Sequence, residues 1–160
     1  MALLDAKEYD PRPARRIWRL VGVAVLIVVV GVIAWRIFRY TPYTNVINKF
    51  FDAIERKDFD AAYAIYNGDP NWQQHPDKYD KYSLSQFKLD WGPSGEYGVI
   101  KSHEIDCVTE PEAKDFHSPS GVIVVVRVNN RADGETSLWV EKKTKTITTS
   151  PFTVECHPPR

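Results

Sequence analysis

A chain of 160 residues with 21 basic and 21 acidic side chains carries no net charge, so no overall field draws it to nucleic acid or another polyanion. Its hydrophobic content of 43% averages a strongly apolar stretch with a polar remainder rich in Asp, Lys and Thr. With roughly forty residues set aside for that stretch and the tail before it, enough chain remains for one ordinary domain.

The tail, residues 1–16, has Pro11 and Pro13 near its end, which predict an extended segment rather than a helix continuous with the apolar stretch. From Leu20 to Trp35 no residue is charged or strongly polar, a composition that needs an apolar solvent. At ~1.5 Å per residue this run falls short of a ~30 Å hydrocarbon core, so the membrane helix is read as 17–39, borrowing Ile17, Trp18, Ile37 and Phe38 from its flanks. Arg19 and Arg36 can send their guanidinium groups along the helix to the headgroups, while Trp18, Trp35 and Tyr40 stand where aromatic belts form. A cleaved signal peptide would need small residues just beyond the apolar run. Trp35, Arg36, Ile37 and Phe38 are bulky or charged, which favours an uncleaved anchor.

Lys7, Arg12, Arg15, Arg16 and Arg19 precede the span and only Arg36 and Arg39 follow closely. That bias places the N-terminus in the cytoplasm and residues 40–160 outside, in a bacterial cell the periplasmic side of the inner membrane. Cys107 and Cys156 both lie in the outer part, where a disulfide could persist; the alternative is two unpaired, partly buried thiols.

Thr41 and Pro42 are expected to interrupt or bend the helix, leaving a very short linker. From Thr44 to Lys57, Val46, Ile47, Phe50, Phe51 and Ile54 form an apolar stripe at helical spacing. Asp58 can cap a second helix with Phe59, Ala62, Tyr63 and Tyr66 on one edge, ended by Gly68 and Pro70. Residues 71–82 read as a polar loop carrying Trp72, Tyr79 and Tyr82. Ser83 with Gln86 matches a capping box opening a short helix, with Leu84, Phe87 and Trp91 on one face. A strand is expected from Glu96 to Thr109, with Tyr97, Val99, Ile105 and Cys107 on one face, followed by a loop through residue 120. The run from Gly121 to Asn130 is apolar at successive positions, as a strand covered on both faces requires, with a turn at Arg131 to Gly134. Two more strands are expected between Glu135 and Val154, separated by a turn at Lys142 to Lys145.

This order describes an α+β domain with helices on one face of a curved antiparallel sheet. VINKFFDAIERKDFDAAYAIYN resembles the opening of the NTF2-like superfamily, where a helix of the form FFxAxxxxDxxxAY precedes a cone-shaped sheet of the ketosteroid-isomerase type. SLSQFKLDWGPSGEYGVIKSHEI resembles the short helix and strand next in that fold, and GVIVVVRVNN with TSLWVEKKTKTITTSPFTVEC resembles its last strands. The resemblance implies an isomerase, cyclase, dehydratase or non-catalytic binding module. An isomerase would need a base in the cone opposite a donor, and His103, Asp90 and Tyr97 are the candidates for such a pocket.

His75, His103, His117 and His157 are widely spaced and no phosphate loop or nucleophile elbow occurs, so neither a metal nor a cofactor is expected. Position then favours a non-catalytic accessory or assembly subunit. Its partners would be the bilayer and either other membrane protein subunits, met through Trp72, Tyr79 and Tyr82, or a second copy of the chain. The alternative is a membrane-tethered small-ligand-binding or isomerase-like domain that uses the cone as its pocket.

Overall fold

The structure is a computed structural model that describes residues 12–111, 120–131, 133–152, 154 and 156. The chain divides into two compact units, Met1–Arg39 and Tyr40–Arg160. Helix α1 (Arg12–Glu55) supplies the described part of the first unit and opens the second. In the first unit successive residues on every side of the helix are exposed, among them Leu20, Val23, Leu26, Ile27, Val30 and Ile33. Apolar side chains all around a helix that none of the described residues covers suit lipid rather than water. This helix is long and apolar enough to cross a membrane.

Two expected breaks are absent. The helix already includes Pro13, in its first turn, where a missing N–H has no intrahelical acceptor to disappoint. Residues 1–11 of the expected extended tail lie outside the described residues. Thr41 and Pro42 lie inside α1 and do not interrupt it. Pro42 withholds only the bond to the Phe38 carbonyl, and the Thr44 hydroxyl donates back to the Thr41 carbonyl at 3.1 Å.

In the second unit, Ile47, Phe50, Phe51 and Ile54 of α1 are buried as their spacing predicts, with Val46 only half-buried. Lys57, in the left-handed region, turns the chain into α2 (Phe59–Tyr66), where Asp58 accepts from the Ala61 N–H at 3.1 Å as its cap. Gly68 ends α2 at φ 61° and lies against the Thr144 carbonyl, where a Cβ would collide. Residues 71–82 are not a plain loop: Trp72–Gln74 and Pro76–Tyr79 form two 3-10 turns. Ser83 caps α3 (Leu84–Trp91) by accepting from the Gln86 N–H at 3.3 Å. The capping box is only half made, because the Gln86 side chain donates to Asp90 instead.

The strands β1 (His103–Thr109), β2 (Gly121–Val128), β3 (Glu135–Glu141) and β4 (Ile147–Thr149) form one antiparallel meander in chain order. Val122, Val124, Val126 and Val128 of β2 join Leu138, Val140, Ile147 and the three helices in one core. The other face of β2 is buried as well, at Ile123 and Val125. On that face the Trp139 ring lies over Gly121, and Cys107, opposite Val125, is disulfide-bonded to Cys156 with Cα atoms 5.8 Å apart. A loop of this length is worth ~4 kcal/mol in the chain-entropy model of disulfide stabilisation.

The expected common face of Ile105 and Cys107 is overturned by a bulge between them. Ile105 opposes Val126 on the core side, and the extra residue, Asp106, carries Cys107 to the far side. There Arg127 meets Asp106 at 2.9 Å and Glu135 at 3.3 Å. Burial pushes the Asp106 carboxyl above its ordinary value, against the pull of Arg127.

β1 begins seven residues later than expected, so Tyr97 and Val99 are not on a strand. The physical reason is Asn129. Its Nδ2 donates to the carbonyls of Tyr97 at 3.3 Å and Val99 at 3.0 Å, its Oδ1 accepts from the Lys101 N–H at 2.8 Å, and its own N–H bonds Ser102. These bonds satisfy a non-repeating segment that would otherwise need a strand partner. Asn129 and Asn130 also begin the β2–β3 turn, both at positive φ, so it starts two residues before Arg131. At the other end, β4 stops at Thr149, and Phe152 and Val154 are outside any strand. The loop expected to follow β1 lies largely outside the described residues, at 112–119. Replacing Asn129 by Ala removes three side-chain bonds and a residue tolerant of positive φ. The full chain in detergent should lose about 2–3 kcal/mol of stability in thermal unfolding followed by near-ultraviolet circular dichroism.

Candidate functional site

Two open clefts meet at a pair of tyrosines. Tyr66 ends α2 and Tyr82 precedes α3, with ring centroids 5.6 Å apart. On one side, a cleft of about 470 Å³ is bounded by Leu89, Asp90 and Tyr97 and by Thr136 and Thr149 from the sheet. On the other, a cleft of about 580 Å³ runs along β4 past Thr146, Ile147 and Thr148, facing Lys78, Tyr79 and Lys81.

The tyrosines are fixed by the core beneath them. Tyr63 is fully buried and donates to the Tyr82 carbonyl at 2.5 Å, while its ring meets Trp72 edge-on at 4.9 Å and Tyr79 at 6.0 Å. Trp72, Tyr79 and Tyr82 are therefore half-buried packing residues that hold the 71–82 segment on the helices, and Tyr79 and Tyr82 also offer a face to the clefts. Tyr79 donates to Asp69 at 2.6 Å, which with the Asn71 N–H and Lys78 keeps that carboxyl below its ordinary range. Tyr82 donates to Asp90 at 2.9 Å. Its phenol is pushed well up, first by burial and then by the Asp90 carboxylate, and Tyr66 is raised by the same two causes.

The structure does not bring the three catalytic candidates together. Asp90 and Tyr97 line the first cleft, where Tyr97 stacks on Trp91 at 5.9 Å and Asp90 accepts from Tyr82 and Gln86. His103 faces α1 instead. Its Nδ1 lies 2.6 Å from Glu55 Oε1, its Nε2 lies 3.2 Å from Asn48 Oδ1, and its ring stacks on Phe51 at 5.1 Å. As a cation the imidazole donates to both; when neutral it donates to Glu55 and accepts from a turned Asn48 amide.

Sequence reading missed Glu55 and Asn48 because they are 48 and 55 positions from His103. The available signal was the polar stripe Asn48, Asp52, Glu55 at helical spacing. Donor atoms of Asp52, Glu55 and His103 lie within 4.8 Å of one another and could hold a divalent cation. The bonds made by both ring nitrogens already account for their placement.

Of the expected membrane-interface residues, Trp18 and Arg19 are exposed and Trp35 lies beneath the Arg39 guanidinium at 5.2 Å. Tyr40 is partly buried and packs against the core of the second unit. The Arg36 side chain lies outside the described ones.

Asp90, at the rim of the first cleft, is exposed and already accepts from both Tyr82 and Gln86. The raised phenols have a stability consequence. Folding favours their neutral forms, so that stabilisation is complete below the unfolded value near pH 10 and declines as pH rises through the higher folded values. An alkaline spectrophotometric titration should show a late phase of tyrosine ionisation, and Tyr82→Phe should diminish that phase and lessen the loss of stability above pH 10. Comparison of the chain with protein-family models, curated proteins and solved structures finds no match.

Proposed function

We propose that the protein is a single-pass, membrane-anchored accessory or assembly subunit, non-catalytic, whose C-terminal domain docks on a membrane protein complex at the extracytoplasmic face. The observation that carries this reading is α1 itself. It carries a membrane-length apolar segment and, later in the chain, the core stripe of the domain, which tethers the domain to whatever membrane the segment enters. An integral membrane partner is then within its reach, whereas a freely diffusing one gains nothing from the anchor. The positive bias before the span supports a cytoplasmic N-terminus. The Cys107–Cys156 bond supports an oxidising outer compartment, in a bacterium the periplasm.

The order of helical hairpin, short third helix and antiparallel meander supports an NTF2-like domain. The first cleft, near 470 Å³, favours one second reading, a tethered domain that binds a small ligand between Tyr66, Tyr82 and Tyr97.

Leu89 separates the two readings from loss of fold, because its apolar side chain is 58% exposed at the rim of that cleft. The full chain, extracted from its own membranes in mild detergent, should travel with stoichiometric companions in sizing and mass spectrometry. Leu89→Glu should remove them without altering thermal unfolding. A protein that runs without companions before and after the substitution would overturn the docking reading and direct attention to ligand binding in the cleft.

A further inference from the structure

Beyond that reading, we infer that two copies of the chain associate edge to edge through β4, continuing the four-stranded sheet of one into that of the other. β4 is the last strand of the sheet. The Ser150 N–H bonds the Ser137 carbonyl at 2.9 Å and the Glu141 N–H bonds the Thr146 carbonyl at 3.0 Å, so Thr146, Thr148 and Ser150 direct their backbone groups toward β3. Ile147 and Thr149 therefore turn their N–H and C=O groups outward. Among the described residues no hydrogen bond meets them there.

The two edges of the sheet are treated differently. β1 is broken by the bulge at Asp106 and carries Glu104, which are devices that discourage strand pairing, whereas β4 is Ile-Thr-Thr with no charge, proline or bulge.

Charge names the occupant. The charged residues flanking the cleft beside Thr146 and Thr148 are Lys81 and Lys78, the latter also paired with Asp69 at 3.6 Å, and those flanking the cleft beside Thr149 are Asp90 and Glu96. The free edge thus has a basic start and an acidic finish. A second copy laid antiparallel about a two-fold axis at Thr148 sets each basic end against the partner's acidic end. In that register Ile147 exchanges backbone bonds with the other copy's Thr149, and the two Thr148 residues form a close, non-hydrogen-bonded pair. Three residues make few bonds, and anchors sharing one bilayer supply the effective concentration that such a short edge needs.

The test is cross-linking of the full chain in its own membranes. Thr148 is exposed, and Cα atoms about 4.5 Å apart in such a pair suit a disulfide. Mild oxidation of Thr148→Cys should give a covalent dimer released by reductant, at least tenfold above Ser85→Cys, an exposed control on α3. Adding Thr149→Pro removes an outward N–H that β3 does not use, and should abolish the dimer. Because proline could disturb β4, a second pair reads the charges: Glu96→Lys should lower the yield several-fold, and Lys81→Glu in the same chain should restore it. A Thr148→Cys yield equal to the Ser85→Cys control, or a yield insensitive to both the proline and the charge changes, would overturn the inference.

Discussion

Strand β2 has no face to give to water, and the domain is organised around that constraint. Its valines alternate between two buried sides, so a single layer of helices cannot satisfy it. One side is closed by the stripe of α1 with α2 and α3; the other holds Trp139 over Gly121 and the disulfide opposite Val125. The bulge in β1 makes the second closure possible. Without the extra residue, Cys107 would point into the helical core, far from Cys156.

The helical layer has a second effect. Tyr63 is driven into the core by burial of its ring, yet its hydroxyl needs an acceptor and finds the Tyr82 carbonyl. That bond, with the rings of Trp72 and Tyr79 around Tyr63, folds an otherwise polar segment onto the hairpin and sets the tyrosine pair between the clefts. The shape of the two clefts thus depends on the same residues that stabilise the interior. Exposed Leu89, which the core does not use, is a cleaner handle on function than any of these aromatics.

What the sequence disclosed and what it concealed divide along the range of the interactions. The apolar run, the stripe from Ile47 to Ile54, the Asp58 and Ser83 caps and the doubly buried β2 rest on local periodicity, and each is where the pattern puts it. The segment around Tyr97 and Val99 has strand-like alternation, but a single amide roughly thirty residues away satisfies its backbone. Parity assigned Ile105 and Cys107 to one face, and one inserted residue reversed it. The pairing of His103 with Glu55 joins a strand to a helix across the core, and no spacing rule links the two positions. The candidate site was legible as a set of aromatic residues, but not as a geometry.

Continuity of α1 through Pro42 bears on the order in which the domain is made. A helix is costly to start and inexpensive to lengthen, because the first turn fixes several dihedrals for one hydrogen bond. On the reading that the apolar segment is inserted in a bilayer, that segment is compelled to be helical before the rest of the chain has folded. The turns bearing Ile47, Phe50 and Ile54 then grow from an existing end rather than from a new nucleus. The membrane would act on this domain as a folding template, presenting the first wall of the core before any strand is paired.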